Sequence, residues 1–172
     1  LTVAPVRLGI VYGLGPVMKR DLRFVTVPHA FCLRVLAGEP LPIHPGGLAP
    51  LPFIHLDDAV SALRLAGAAA ALQGYAPANA VGEVASVLDV ARFVQRAAWD
   101  AGHDAVLRFH TPEGVLAPEG ADVAPPSGPS FAVRSRLEGA GWRPVGRLAT
   151  ALPAIMTHYA RATTTGSGPD AG

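Results

Sequence analysis

The sequence predicts an α/β fold, and two observations support this prediction. Short apolar segments typical of strands alternate along the 172 residues with longer stretches in which apolar residues recur at helical spacing. Half of the residues are apolar and only 16% are charged, which favours a packed core over disorder. A chain of this length corresponds to one domain or to one lobe of a larger domain.

Composition argues against several classes of function. The formal net charge is +1 and lysines and arginines do not cluster, so no nucleic-acid partner is expected. The chain has no uninterrupted apolar run of about 18 residues, so no membrane span is expected. The single cysteine, Cys32, cannot form an intrachain disulfide and lies in an apolar helical run, which predicts a buried thiol. The histidines lack metal-ligand spacing, so we expect no metal site, and without a signal peptide we expect a cytoplasmic protein.

Five predicted strands are short and end at turn-forming residues. They cover residues 3–11, 41–44, 53–55, 79–81 and 106–109. The first runs into Tyr12 and Gly13 and is interrupted by Pro5. Because it is strongly apolar, we expect it to belong in a parallel sheet with further strands, and to leave an apolar edge in this chain.

The predicted helices carry clear start and stop signals. Pro28 suits the first turn of a helix over 29–37 that Gly38 ends, and a helix over 56–72 opens on acidic residues. Ser86 and Asp89 form a variant capping box for a helix over 87–101, ended by Gly102. A short helical turn at 136–138 and a last helix over 148–161 complete the set.

Three segments lie outside these elements. Residues 111–129 are rich in Pro and Gly and predict a long loop, and residues 163–172 predict a disordered tail. The chain opens within what reads as a buried strand, which suggests a fragment of a larger protein. We therefore predict one lobe over 1–162 followed by the tail.

Four segments, in order, resemble the second half of extended short-chain dehydrogenase/reductase proteins of the NAD-dependent epimerase/dehydratase family. They read VRLGIVYG; AGEPLPI continuing to FIHLDDA; NAVG followed by SVLDVA; and SRL with GWRP. The resemblance spans about 155 residues. It implies a C-terminal substrate-binding lobe together with the last strands of a Rossmann-type fold.

The resemblance also implies what this chain lacks. Intact relatives carry a Gly-x-x-Gly-x-x-Gly turn for NAD or NADP and a Tyr-x-x-x-Lys pair for acid/base chemistry. Tyr12, Tyr75 and Tyr159 have no lysine four residues later, and Pro16 follows the Gly13–Gly15 stretch. We therefore expect no catalytic residue and no tight cofactor binding in this chain. The intact form would use NAD or NADP and a small-molecule substrate, a nucleotide sugar or polyol, and could be a homodimer.

Candidate binding residues follow from the same resemblance. Gly9, Ile10 and Val11 correspond to the segment near the nicotinamide ring, although a buried strand end explains them equally well. His44, Leu51 and Phe53 fall in the substrate region. Many relatives have an arginine where this chain has Leu51, and it grips the substrate diphosphate.

Three further interpretations concern polar residues. Lys19, Arg20 and Arg23 could replace the missing phosphate-binding arginine, but a solvated basic loop is the commoner explanation. We expect Tyr12 to pack or hydrogen-bond locally. The segment 55–58, with one histidine and two aspartates, is expected to be structural, capping and supporting the following helix.

Three functions remain open at this point. The first is an epimerase/dehydratase-type oxidoreductase acting on a nucleotide sugar or similar polyol, with this part supplying the substrate cleft. The second is a non-catalytic binding module derived from the same fold. The third is a reductase of steroid-like or flavonol-like ketones, which the apolar Ile10 and Leu51 would permit.

Overall fold

The computed structural model describes residues 3–73, 77–110, 116–117 and 135–164, with side chains of 69–73, 116–117 and 163–164 excepted. Strands and helices alternate along these residues, which confirms the predicted α/β class. The elements are β1 Val6–Leu8, β2 Ile10–Tyr12, α1 Val27–Leu36, β3 Leu41–Ile43, β4 Leu51–His55, α2 Leu56–Gln73, β5 Ala78–Ala80, β6 Glu83–Ala85, α3 Val87–Asp100, β7 Leu107–His110, β8 Leu116–Ala117, α4 Arg136–Gly139 and α5 Leu148–Thr164. A single 3₁₀ turn, Pro45–Leu48, follows β3.

The described strands form three small sheets. β1 pairs with β5 in parallel. β2 pairs with β4 in parallel, and β6 joins the other side of β4 in the antiparallel direction. β3 pairs with β7 in parallel, with β8 antiparallel to β7. Parallel pairing dominates, as expected for strands that alternate with helices.

The predicted first strand over 3–11 is wrong as a single element, because the chain changes partner at Gly9. Residues before Gly9 pair with β5 and residues after it pair with β4. The Gly9 N–H donates to the Ala80 carbonyl at 3.0 Å, and a Cβ at this position would lie 2.9 Å from the Pro52 carbonyl oxygen. Only glycine allows this close backbone approach, so the exchange of partners depends on it.

The strand β6 was not predicted. It is three residues long, and the polar Glu83 at its start obscures any apolar alternation. It forms because β4 offers a free edge: Leu51 lies opposite Ala85 and Phe53 opposite Glu83. Tertiary pairing, rather than local pattern, specifies this strand.

The helix signals are confirmed. Pro28 lies in the first turn of α1. Gly38 and Gly102, which follow α1 and α3, have φ angles of 70° and 78°. The capping box at α3 is complete, because Asp89 N donates to Ser86 Oγ at 3.0 Å and Ser86 N donates to the Asp89 carboxylate at 2.8 Å.

The carboxyl-terminal helix is longer than predicted. α5 continues to Thr164, beyond the predicted end at residue 161 and through the first two residues of the predicted tail. Residues 165–172 lie outside the described part of the chain, as does most of the predicted loop over 111–129, of which residues 116–117 form β8.

Two apolar clusters hold the described elements together. The larger lies between α1, α3, α5 and the strands β3, β4 and β7. The smaller lies beneath α2 and includes Trp142, which is 5% exposed and donates its indole N–H to Ser61 Oγ at 3.0 Å. Its most buried members are Ile54, Ala62 and Ala80. No helix in the described ranges is long and apolar enough to cross a membrane.

One edge of β1 pairs with no other strand in the described residues. Leu8 on this strand is 39% exposed and Val3 just before it is 49% exposed. Such an edge can pair with another chain.

We therefore predict that the chain self-associates through β1. Leu8→Lys should reduce the self-association constant severalfold, because a lysine on an exposed edge opposes pairing with a second strand. Sedimentation velocity across a concentration series measures this. Leu22→Lys, at a similarly exposed loop position, is the control. Equal association of both variants and wild type, or a sharp cooperative melt of a wild-type monomer, would contradict the prediction.

A second prediction concerns Gly146, which packs directly on the ring and Cβ of His55. A Cβ added there would lie 2.7 Å from His55 Cγ and 3.1 Å from Asp58 Oδ2. Gly146→Ala should lower the free energy of unfolding by about 2–3 kcal/mol, because backbone must move to relieve the overlap. Urea denaturation measures the change.

The matched control is Gly67→Ala, which adds the same methyl group on α2, where no described atom outside the helix's own backbone lies within 4 Å. Alanine has the higher helix propensity, so Gly67→Ala should leave stability unchanged or raise it by up to about 1 kcal/mol. Equal losses in the two variants would refute the packing argument.

Candidate functional site

The candidate site is a cavity of about 530 Å³ at the carboxyl end of β2. Tyr12 ends this strand, and Gly13 and Leu56, next to the carboxyl ends of β2 and β4, line the same cavity. Ligands of parallel α/β sheets bind in crevices outside the carboxyl ends of the strands. The cavity therefore has the position of a ligand site.

The floor of the cavity is fixed by Tyr12, which is 1% exposed. Its hydroxyl donates to Glu83 Oε1 at 2.6 Å, and its ring meets His55 edge to face at 5.4 Å. Burial and the neighbouring Glu83 carboxylate raise the pKa of Tyr12 well above its ordinary value. The phenol thus stays protonated, and Tyr12 packs and hydrogen-bonds within the protein, although its partner is distant in the sequence and not local.

Glu83 is also the acceptor for the start of α5. Its Oε1 accepts the Leu148 N–H at 2.7 Å, so one carboxylate oxygen joins the end of β2 to the first residue of α5. A carboxylate at this end also complements the helix dipole.

The segment 55–58 is structural, as predicted, although the Asp58 carboxylate accepts hydrogen bonds from the turn before α5 and not from the start of α2. Asp58 is 4% exposed and accepts hydrogen bonds from Val145 N at 3.1 Å and Gly146 N at 2.8 Å, just before α5. The sequence predicts that this carboxylate caps its own helix, whereas the structure shows it holding the turn before α5. Asp57 is exposed, and its N–H donates to His55 Nδ1 at 3.3 Å.

The far wall of the cavity comes from α1 and α5. His29 Nδ1 lies 3.2 Å from the Tyr159 hydroxyl, and that hydroxyl donates to the Lys19 carbonyl at 2.9 Å. Burial lowers the pKa of His29 below its ordinary value, so the imidazole is neutral at pH 7. Thr26, which precedes α1, donates its hydroxyl to the Val11 carbonyl at 2.9 Å. These contacts hold the loop 13–26 against both helices.

Of the three predicted cofactor contacts, Val11 lines this cavity. The Gly9 backbone packs closely against the Pro52 carbonyl, and Ile10 is partly buried against the larger apolar cluster. One side of β2 pairs with β4 and its opposite edge has no strand partner in the described ranges. Ile10 and Val11 thus belong to a strand, and contact of this segment with a nicotinamide ring stays a prediction.

The structure does not bring the three predicted substrate residues together in the cavity. His44 follows β3 in a different sheet, and its ring stacks on His110 at 4.3 Å and 19°. Leu51 is partly buried and packs against the larger cluster, and Phe53 is 0% exposed. Alternation along β4 determines this, because Leu51 and Phe53 share a face that is turned inward.

Two predictions concern other reactive groups. Cys32 is buried as predicted, and burial raises the pKa of its thiol to about 12. Such a thiol is unreactive at neutral pH. Within the described ranges, no group of three or more His, Cys, Asp or Glu side chains is placed to hold a metal ion.

Sequence reasoning missed Glu83, His29 and Tyr159. Glu83 could have been noticed as a lone carboxylate between short apolar residues, next to Gly82. The other two are separated by 130 residues and meet only because α1 packs on α5, so no local signal could have paired them.

We predict that Glu83→Ala lowers the free energy of unfolding by about 2–4 kcal/mol, because Tyr12 Oη and Leu148 N lose a shared acceptor in buried surroundings. Glu39→Ala is the matched control, since Glu39 pairs with Arg34 at 2.8 Å on the surface and should contribute less than about 1 kcal/mol. Chemical denaturation compares the two. Similar losses would argue against a special role for Glu83.

A further prediction concerns pH. The folded pKa of His29 is lowered, so the unfolded chain binds a proton that the folded chain resists, and stability should fall as pH decreases through about 6.5. His29→Gln should flatten this dependence, whereas His158→Gln, at an exposed position, should retain it. Urea unfolding between pH 8 and pH 5 measures the slopes. Parallel curves for wild type and His29→Gln would contradict the assignment.

Comparison with known proteins places the fold. No protein-family model matches the chain, and no curated protein matches it. Among solved structures, the UDP-glucose 4-epimerase of Thermotoga maritima with UDP-glucose matches 95% of this chain at a TM-score of 0.66 and 20% identity, over 47% of its own length. The Thermus thermophilus UDP-glucose 4-epimerase with NAD matches 92% at a TM-score of 0.60 and 24% identity, also over 47%.

The UDP-N-acetylglucosamine 4-epimerase of Methanobrevibacter ruminantium, in complex with UDP-N-acetylmuramic acid, matches 94% of this chain at a TM-score of 0.65 and 17% identity, over 47% of its length. The chain thus spans about half the length of the structures it matches. These identities establish a likeness of fold, and at that level the resemblance deduced from the motifs is confirmed. Over the matched part, the chain has the Rossmann-type α/β fold of the NAD-dependent sugar-nucleotide epimerases.

Proposed function

We propose that this chain supplies the substrate cleft of an NAD(P)-dependent epimerase/dehydratase-type oxidoreductase acting on a nucleotide sugar or similar polyol. The observation that carries the proposal is the cavity at the carboxyl ends of β2 and β4, in a chain with the fold of nucleotide-sugar epimerases. Those epimerases were solved with UDP-sugars or NAD.

The chemistry assigned to this chain is binding and orientation. The Tyr12 hydroxyl is committed to Glu83 and its raised pKa makes it a poor proton carrier at neutral pH. Tyr159 donates to a backbone carbonyl beside a neutral imidazole. Neither tyrosine has a lysine four residues later, the spacing that the family uses to lower the pKa of its catalytic phenol. The general base would come from outside these residues.

The described residues do not fit the diphosphate of a dinucleotide cofactor. Gly13 adopts φ of 121° and packs on His55, and the chain from there to Thr26 is not helical, so the Gly13–Gly15 stretch does not open a helix as a dinucleotide-binding turn would. Contact of Gly9, Ile10 and Val11 with the nicotinamide end of NAD or NADP remains part of the proposal.

A specific observation favours a second candidate, a reductase of steroid-like or flavonol-like ketones. The cavity walls are largely apolar, with Val17, Met18, Phe24 and Val25 among them, and Leu51 replaces a phosphate-binding arginine. An apolar, planar substrate would suit such walls.

A ligand-stabilisation experiment on the full chain separates these candidates. UDP-glucose and UDP-glucuronic acid should raise the melting temperature by a few degrees at about ten times Kd, because a ligand that binds only the folded state stabilises it by mass action. Progesterone and quercetin should not.

Gly15→Phe is the control variant, because a Cβ at this cavity-lining position makes ordinary contacts with Leu56 Cδ2 at 3.5 Å and the Val17 carbonyl oxygen at 3.9 Å, and a ring would extend into the cavity. It should abolish the shift without loss of fold. Stabilisation by the ketones alone would support the second candidate, and no stabilisation by any nucleotide sugar would count against the first.

A further inference from the structure

The loop 13–26 is anchored to α5 at two successive residues. Tyr159 Oη donates to the Lys19 carbonyl at 2.9 Å, and Tyr159 itself is 1% exposed. The Arg20 guanidinium then donates to the Tyr159 carbonyl at 2.9 Å and the Ala162 carbonyl at 3.3 Å, near the carboxyl end of α5. A cation suits this end of a helix. The backbone of Lys19 is therefore fixed at the wall of the cavity.

The three basic residues of this loop have different environments. Arg20 is bound to α5, and Arg23 is paired with Asp21 through contacts of 2.6 to 3.1 Å. The Lys19 ammonium meets no carboxylate in the described part of the chain, and it lies 5.6 Å from the centre of the Phe24 ring. Lys19 thus differs from its neighbours in having a charge that is free to meet an anion.

Among the described residues that line the cavity, Lys19 is also the single cationic side chain. His29 lines it too, but is neutral at pH 7 because burial lowers its pKa. Phe24 is 64% exposed at the same wall. An exposed cation–π contact is weak, whereas a hydrogen bond from an ammonium to a phosphate is charge-assisted, so the ammonium can exchange the ring for an anionic ligand.

We propose that Lys19 is the specificity-determining residue of this cavity, binding the phosphate-bearing end of the ligand beside Phe24. This inference rests on the proposed function for the identity of the ligand, because the proposed substrate is a nucleotide sugar. Leu51 cannot donate a hydrogen bond and lies against the core, so the anion is recognised from the loop and not from β4. A single ammonium group also distinguishes this cleft from a site in which an arginine guanidinium binds the phosphate through two hydrogen bonds.

The test is a titration of the isotopically labelled full chain, followed by amide chemical shifts in NMR, with two probes: UDP-glucose and inorganic pyrophosphate. Lys19→Gln should weaken binding of both about tenfold, as expected for loss of one charge-assisted contact. Lys19→Arg should restore most of the affinity. Arg23→Gln, which removes a neighbouring exposed cation that is already paired, should bind like wild type.

A salt series adds a readout that a purely structural role would not change. Wild-type affinity should fall as ionic strength rises, and the dependence should be shallower in Lys19→Gln. Thermal melts of each variant show whether the fold is retained, and Lys19→Arg provides the comparison if Lys19→Gln is less stable.

Each outcome decides between the two proposals. Equal binding of UDP-glucose by wild type and Lys19→Gln overturns the role of Lys19 and leaves the proposed function intact. Lysine-dependent binding of pyrophosphate without binding of UDP-glucose supports the anion site and counts against the nucleotide-sugar assignment. If wild type binds neither UDP-glucose nor pyrophosphate, the anion site is overturned.

Discussion

The placement of α5 against the sheet, and with it the candidate site, depends on a single carboxylate oxygen, Glu83 Oε1, which accepts hydrogen bonds from two distant parts of the chain. One donor is the Tyr12 hydroxyl at the end of β2, and the other is the Leu148 N–H at the start of α5. Tyr12 and Leu148 are both buried residues, so loss of the shared acceptor would leave two donors poorly satisfied. This contact fixes where α5 begins relative to the sheet, and Asp58 reinforces it by holding the two residues Val145 and Gly146.

The position of α5 in turn determines the candidate site. α5 packs on α1 and α3, and its Tyr159 reaches His29 on one side and the Lys19 carbonyl on the other. The loop 13–26 has no regular structure of its own, so these contacts give it a defined path along the cavity. Glu83 in β6 therefore positions α5, and α5 in turn positions Lys19, the cation that we propose recognises the ligand.

Local signals predicted the helices well and the strands less well. Each helix signal acts on a helix end that is only a few residues away in the sequence. The signals are the capping box of Ser86 and Asp89, Pro28 in the first turn of α1, and the two positive-φ glycines that follow α1 and α3. Strand pairing is not local. The change of partner at Gly9 and the addition of β6 to β4 depend on which backbone edges meet, and an alternating or apolar pattern carries no information about that.

The candidate site shows the same division. The sequence alone determined the α/β class, the resemblance that the fold comparison confirms, the structural role of residues 55–58, and the absence of a lysine partner for each tyrosine. The tertiary structure decided which residues line the cavity: Val11 does, whereas Phe53 is buried in the core and His44 stacks on His110 in another sheet. It also separated Lys19 from Arg20 and Arg23, which look equivalent in the sequence. The physical reason is that charge is a property of a residue type, whereas the availability of that charge depends on partners brought close by folding.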